Sequence, residues 1–128
     1  MAILIVDNDK NTGETLRAIL GVETKYEVDV AYGGEEALKK MRQGGPYELV
    51  LLDIMMPKIS GIDVCRAMIV DKKLKKIPVV LVSALPVASQ TFQESLKNFK
   101  ELGVIRGVVE KPFSFDDLLA KVRAAIRQ

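Results

Sequence analysis

The stretch LVLLDIMMPKISG (residues 49–61) decides the fold. Four aliphatic residues, Leu49 to Leu52, run straight into Asp53, and Pro57 and Gly61 then punctuate a loop. A strand with one face in water alternates apolar and polar residues, whereas a strand covered on both faces is apolar throughout. Leu49–Leu52 is of the second kind. Ala2 to Val6, Val28 to Ala31, Val79 to Val82 and Val104 to Val109 are further short β-prone runs.

Between these runs, apolar residues recur at the helical period and predict five helices. Their markers are Leu16, Ile19 and Leu20, then Ala37, Leu38 and Met41, then Cys65, Met68 and Ile69. The fourth is carried by Phe92, Leu96, Phe99 and Leu102, and the last by Leu118, Leu119, Val122, Ala125 and Ile126. Asn11 with Glu14, and Ser114 with Asp117, have the spacing of capping boxes at two helix starts, and Asp7, Asn8 and Asp9 also offer side chains that cap the first helix. Strands that alternate with helices, and whose central members are wholly aliphatic, predict an α/β fold with a five-stranded parallel sheet covered on both sides. No repeat or linker interrupts the pattern, so one domain is expected over residues 1–128.

Composition narrows the chemistry. A length of 128 residues suffices for a core without covalent staples. The single cysteine, Cys65, excludes an internal disulfide, and its neighbours Ile62, Met68 and Ile69 predict a packed thiol. Histidine is absent, which removes Ser-His-Asp triads, Cys-His pairs and histidine zinc sites together. Any divalent cation must be held by oxygen, as magnesium is. A net charge of +2 is too small to argue for direct nucleic-acid binding, and Lys72, Lys73, Lys75 and Lys76 read as a solvated connector. The longest apolar run, Ile77 to Ala88, is broken by Pro78 and Pro86 and too short to span a bilayer. A cytoplasmic protein that binds neither membrane nor nucleic acid is expected.

In open parallel sheets, sites form beyond the carboxyl ends of the strands. Asp7, Asn8 and Asp9 stand at the end of the first predicted strand, Asp53 at the third, Ser83 at the fourth, and Glu110 and Lys111 at the fifth. A carboxylate at the end of so apolar a strand as Leu49–Leu52 needs compensation. A magnesium ion held by Asp7 and Asp53, with Lys111 nearby, would supply it. The same groups suit phosphoryl transfer: Asp53 attacks phosphorus, while the ion, Lys111 and the Ser83 hydroxyl each meet one of the charged oxygens. Asp53 needs no general base, because a carboxylate is already ionised at neutral pH.

The motifs ILIVDND, VLLDIMMPKISG, VVLVSA and EKPF, in this order and spacing, resemble the receiver domain of two-component response regulators, over essentially the whole chain. The resemblance implies a doubly wound, flavodoxin-like sheet of strand order 2-1-3-4-5. It implies that Asp53 is the phosphoacceptor, that Asp7 and the neighbouring Asn8 belong to the magnesium pocket, and that the Met55 carbonyl is a further ligand. Ser83 would be the hydroxyl that senses phosphorylation, and Lys111 the lysine before a cis Pro112. The phosphoryl donor would be a histidine on a sensor histidine kinase or histidine phosphotransfer protein. Phosphorylation would then switch the surface around the predicted fourth helix, fifth strand and last helix toward a downstream effector. Such a protein hydrolyses its own aspartyl phosphate without being a conventional turnover enzyme.

Three departures from the family stand out. Asn8 occupies a position where relatives usually carry a second acid, which removes one negative charge and predicts weaker magnesium affinity unless Asp9 compensates. Val108 replaces a customary aromatic residue, and the stretch from Ser83 to Lys111 is longer than usual. These losses keep open a receiver-like module that binds partners without phosphorylation. A different class of function, a haloacid-dehalogenase-like phosphatase using Asp7 and Asp9, also fits a strand followed by Asp-x-Asp, but Asn11 and the lack of a later acidic motif count against it. A flavodoxin-type flavin module is disfavoured by acids where a phosphate would sit.

Overall fold

A computed structural model describes residues 2–44, 46–84, 90, 93, 94, 97 and 104–127. Its strands are β1 (Ala2–Val6), β2 (Glu27–Ala31), β3 (Tyr47–Asp53), β4 (Val79–Ser83) and β5 (Ile105–Glu110). Its helices are α1 (Lys10–Glu23), α2 (Gly34–Gln43), α3 (Gly61–Ile69) and α4 (Phe115–Arg127). The helix predicted on Phe92, Leu96, Phe99 and Leu102 lies outside the described residues. All strand pairs are parallel, in the order β2-β1-β3-β4-β5. The order implied by the family resemblance is therefore the order found.

The apolar runs hide a period of two that sequence alone does not display, because both faces of the sheet are buried. Ile3 and Ile5 of β1, Leu49 and Leu51 of β3, and Val80 and Val82 of β4 pack with Leu16 and Leu20 of α1 and Leu118 and Val122 of α4. Leu4, Val6, Val50, Leu52, Val79 and Leu81 form the other core, with Ala37 and Met41 of α2 and Val64, Cys65 and Met68 of α3. Each fully buried leucine contributes about 1.5–3 kcal/mol, so these two layers dominate the stability.

Local chemistry sets the ends of the helices. The N-cap of α1 is Asp9, whose Oδ1 accepts from the amides of Asn11 (3.0 Å) and Thr12 (3.4 Å). The other candidate cap, Asn11, is already inside the first turn, because an aspartate two residues earlier reaches the same orphan amides. The Ser114 hydroxyl does accept from the Asp117 amide at 3.1 Å, as its spacing predicts. A capping box unread in the sequence joins Ser60 and Asp63 at the start of α3. The lysine-rich run is exposed, but Leu74 within it is fully buried and pins the run to the α2–α3 core.

The loop between Asp53 and α3 is tight. The Ile59 amide donates to the Pro57 carbonyl at 2.9 Å, a γ-turn centred on Lys58, whose φ of 69° lies in the left-handed region. The Gly61 amide returns to the Ile54 carbonyl at 2.8 Å. A Cβ on Gly61 would fall 2.5 Å from the Asp53 carbonyl oxygen and 2.8 Å from Ile54 Cα, both backbone atoms that cannot swing aside. Gly61→Ala is therefore expected to destabilise the fold by about 1–3 kcal/mol. A lower urea midpoint at unchanged denaturant slope is the measurement that checks it.

Candidate functional site

Strand register assembles the site. Val6 pairs with Leu52, so Asp7 and Asp53 follow as neighbours at the ends of β1 and β3. Asp7 continues the face of Ile3 and Ile5, and Asp53 that of Leu49 and Leu51. Lys111 follows β5 with the parity of Val109, which belongs to the same core. Three residues from distant segments thus emerge on one side of one rim. Lys111 Nζ stands 3.7 Å from Asp7 Oδ2 and 3.7 Å from Asp53 Oδ2.

The two carboxylates are deeply placed, with Asp7 3% and Asp53 4% exposed, while the lysine side chain is 30% exposed. Burial, and then the charge of Asp7, push the Asp53 carboxyl above the usual carboxylate range, against the lowering effects of Lys111 and the Met55 amide. The Met55 N–H donates to Asp53 Oδ1 at 3.3 Å. Asp7 is anchored at both ends: its amide donates to the Ala31 carbonyl at 3.1 Å, and its Oδ1 accepts from the Asp9 amide at 2.9 Å. Lys111 is held by its own amide, which donates to the Ser83 carbonyl at 2.7 Å, and the Lys111–Pro112 peptide is cis, as the resemblance implies.

The remaining expected site residues are placed less uniformly. Ser83 is fully buried at the end of β4, with the parity of Leu81 rather than that of Asp53. Asn8 is exposed on the loop after β1, and Met55 is 55% exposed beside the acid pair. Asp9 caps α1: its Oδ1 serves two helix amides and its Oδ2 accepts from the Thr12 hydroxyl at 3.1 Å, so any share in a metal site or in phosphatase chemistry would compete with the cap. The Thr12 hydroxyl and amide hold the Asp9 carboxyl below its ordinary range. Cys65 is buried, its thiol pushed up to about 12 by burial alone, which fits packing and not nucleophilic chemistry.

Among the described residues, no three His, Cys, Asp or Glu side chains converge on one point. The donors shown together at the rim are the two carboxylates of Asp7 and Asp53, and the Asn8 amide and Met55 carbonyl, which follow them in sequence, would add only oxygen. This set fits magnesium, which binds through one or two carboxylates and keeps several waters.

Similarity to known proteins follows the same lines. The profile of the Response regulator receiver domain family matches residues 3–123. The transcriptional regulatory protein DltR of Streptococcus agalactiae is 36% identical over 128 residues, covering 100% of this chain and 53% of that protein. The chain thus spans about half the length of the curated relatives it matches. Among solved structures, the response regulator protein TrrA from Thermotoga maritima in complex with Mg2+-BeF is 38% identical, with a TM-score of 0.75 over 95% of this chain and 96% of that one. The Vibrio cholerae chemotaxis protein CheY4 shares the fold, with a TM-score of 0.83 at 23% identity over 97% of each chain.

Two outcomes are expected from this geometry. Asn8→Asp restores a second acid to the loop and tightens magnesium binding by about tenfold, read by calorimetric titration. Asp53 binds its proton more tightly in the folded than in the unfolded chain. In chelator, the stability this group contributes is therefore lost as pH rises above the ordinary carboxylate value of about 4 and through its raised pKa. Asp53→Asn flattens this limb and raises the urea midpoint at neutral pH, and a parallel decline in both proteins would refute the assignment.

Proposed function

The chain belongs to the response regulator receiver domain family, and from that premise we propose that it takes a phosphoryl group from a partner's phosphohistidine onto Asp53. The observation that carries this reading is the buried Asp7–Asp53 pair with one ammonium group 3.7 Å from each. In the transfer, the bond from the histidine nitrogen to phosphorus breaks as a bond from an Asp53 carboxylate oxygen forms. The chain has no histidine of its own, so the donor is a sensor histidine kinase or histidine phosphotransfer protein.

Each residue has a defined task in this proposal. Asp7, Asp53, the Asn8 amide and the Met55 carbonyl hold magnesium. When bound, that ion supplies positive charge against the phosphoryl oxygens. Lys111 meets a second oxygen with its ammonium group, and the Ser83 hydroxyl, buried on the α2–α3 side of the sheet in this structure, has to turn toward the site to donate to a third. The Met55 amide and the tight turn through Gly61 fix the carboxylate before the donor arrives, so little reorganisation accompanies transfer. Water admitted past the exposed Met55 side chain later hydrolyses the aspartyl phosphate, which makes the protein a switch and not a turnover enzyme.

The output is a population shift in the surface that includes β5 and α4, read by a downstream effector. The relatives named as transcriptional regulatory proteins support an effector that controls transcription. A cytoplasmic site of action follows from the family reading. Among the described residues no helix is long and apolar enough to cross a membrane.

The test is incubation with a small phosphodonor and magnesium, followed by intact-mass measurement. The parent gains one phosphoryl group and Asp53→Asn gains none. Lys111→Ala slows the gain by about a hundredfold, the scale of removing one preorganised charge-stabilising donor. A parent that never gains the adduct at any magnesium concentration would favour the phosphorylation-independent binding module. Ester hydrolysis that survives Asp53→Asn and disappears in Asp7→Asn would favour the phosphatase.

A further inference from the structure

The loop Asp7–Asn8–Asp9 carries part of the proposed metal pocket, and the structure shows what holds it in place. Its first residue is tied to β2, because the Asp7 amide donates to the Ala31 carbonyl at 3.1 Å. Its last residue begins α1, and α1 is tied to the residue after Ala31. The Tyr32 hydroxyl donates to Glu14 Oε1 at 2.5 Å, across 18 positions of sequence. The Tyr32 ring lies against Gly13, where an added Cβ would meet Tyr32 Cε1 at 3.4 Å and Val30 Cγ1 at 3.0 Å. Arg17 Nη1 stands 3.8 Å from the same oxygen, Glu14 Oε1. The backbone of Tyr32 is fixed independently, its amide donating to Glu36 Oε2 of α2 at 3.1 Å.

We propose that Tyr32 is a positioning residue for the phosphoryl-site loop, acting through Glu14 as a strap that sets the distance between the end of β1 and the start of α1. The inference rests on the reading that Asp7 and Asn8 belong to the magnesium pocket. Its physical basis is a difference in sensitivity. The strap is at the surface, where a single hydrogen bond adds little to global stability. The loop it brackets, by contrast, must present oxygens to an ion that demands near-octahedral geometry. A small drift of α1 moves Asn8 and Asp9 relative to Asp7, whose own position is set by the sheet. Loss of the strap therefore alters the site much more than the fold.

Tyr32→Phe keeps the ring on Gly13 and removes only the hydroxyl, and Glu14→Ala removes the acceptor. Three quantities are read on each: amide hydrogen exchange at Asp9 without metal, magnesium affinity from amide-shift titration with magnesium chloride, and the urea midpoint. In both variants the Asp9 amide is expected to exchange several-fold faster and magnesium to bind about three- to tenfold more weakly, the scale of outer-shell losses at metal sites. The urea midpoint stays near that of the parent. The double variant is no worse than either single one, because both remove the same bond. Glu14→Gln, which keeps an acceptor oxygen, retains the parent affinity. Exchange and affinity both within about twofold of the parent would overturn the proposal. So would an affinity loss that only follows an equal fall in global stability. If the parent binds no magnesium at all, the reading of the pocket fails, while exchange at Asp9 still decides the strap.

Discussion

The structure depends on one electrostatic conflict. The register of β1 against β3 sets two carboxylates side by side at the carboxyl end of a sheet whose interior is apolar on both faces. In that setting, desolvation and mutual repulsion both oppose ionisation, and Asp53 shows it by its raised proton affinity. A single ammonium group 3.7 Å from both acids is a partial answer. It is also a movable one, because the Lys111 side chain is 30% exposed and the acids are not. A core that contained only stability devices would have no use for such a pair, since apolar residues there would pack at lower cost. The conflict is tolerable where a cation resolves it, and useful where an anion must be brought in.

The same alternation that divides the interior into two cores also selects which polar groups meet. Asp7, Asp53 and Lys111 continue the face shared with α1 and α4, so the site is the outward extension of that core. Ser83 continues the α2–α3 face, with Leu81, and is buried there. Its backbone carbonyl nevertheless holds the Lys111 amide, so the serine and the lysine move together at the ends of paired strands β4 and β5. Any rearrangement at the acid pair thus has a mechanical route to the β5–α4 surface through main chain as well as side chain. Val108, half-buried on β5, is too small to add a ring rotation to that route.

The parts of this arrangement that were readable in sequence are those encoded by long-range burial. Aliphatic strands running into Asp7 and Asp53 announce both the parallel sheet and its polar rim, because only a doubly covered strand can be so apolar; the strand before Lys111, with Arg106 and Gly107 in it, gives a weaker signal. What the sequence leaves open is local and degenerate. Asp9, Asn11 and Thr12 are all competent cap residues within four positions; spacing to Glu14 points to Asn11 and the place after β1 to Asp9, and the backbone uses Asp9. Glu14, set free of capping, went to Tyr32 instead. Leu74 among lysines looked like part of a solvated run, yet the turn around it folds back on the core. The contact between Gly61 and the Asp53 backbone has no signature beyond a glycine in a loop, since what requires it is a tertiary approach.

The capping role of Asp9 bears on what Asn8 means. Counting only the buried acid pair and Lys111, the rim carries two carboxylates and one ammonium group, a net charge of −1, to which the exposed and ionised cap Asp9 adds its own charge in either case. A relative with a second acid in the loop would stand at −2, and so attract a divalent cation more strongly before transfer. After transfer the comparison reverses. On the proposed assignment, an aspartyl phosphate of charge about −2 replaces the ionised Asp53. With a divalent cation and Lys111 this leaves the Asn8 rim near neutrality, whereas the two-acid rim keeps a residual negative charge that repels the phosphoryl oxygens. On that assignment the amide at position 8 would weaken the empty pocket and relieve repulsion in the filled one. It would shift the site toward a state in which metal and phosphoryl group are held together, rather than one in which the metal waits alone.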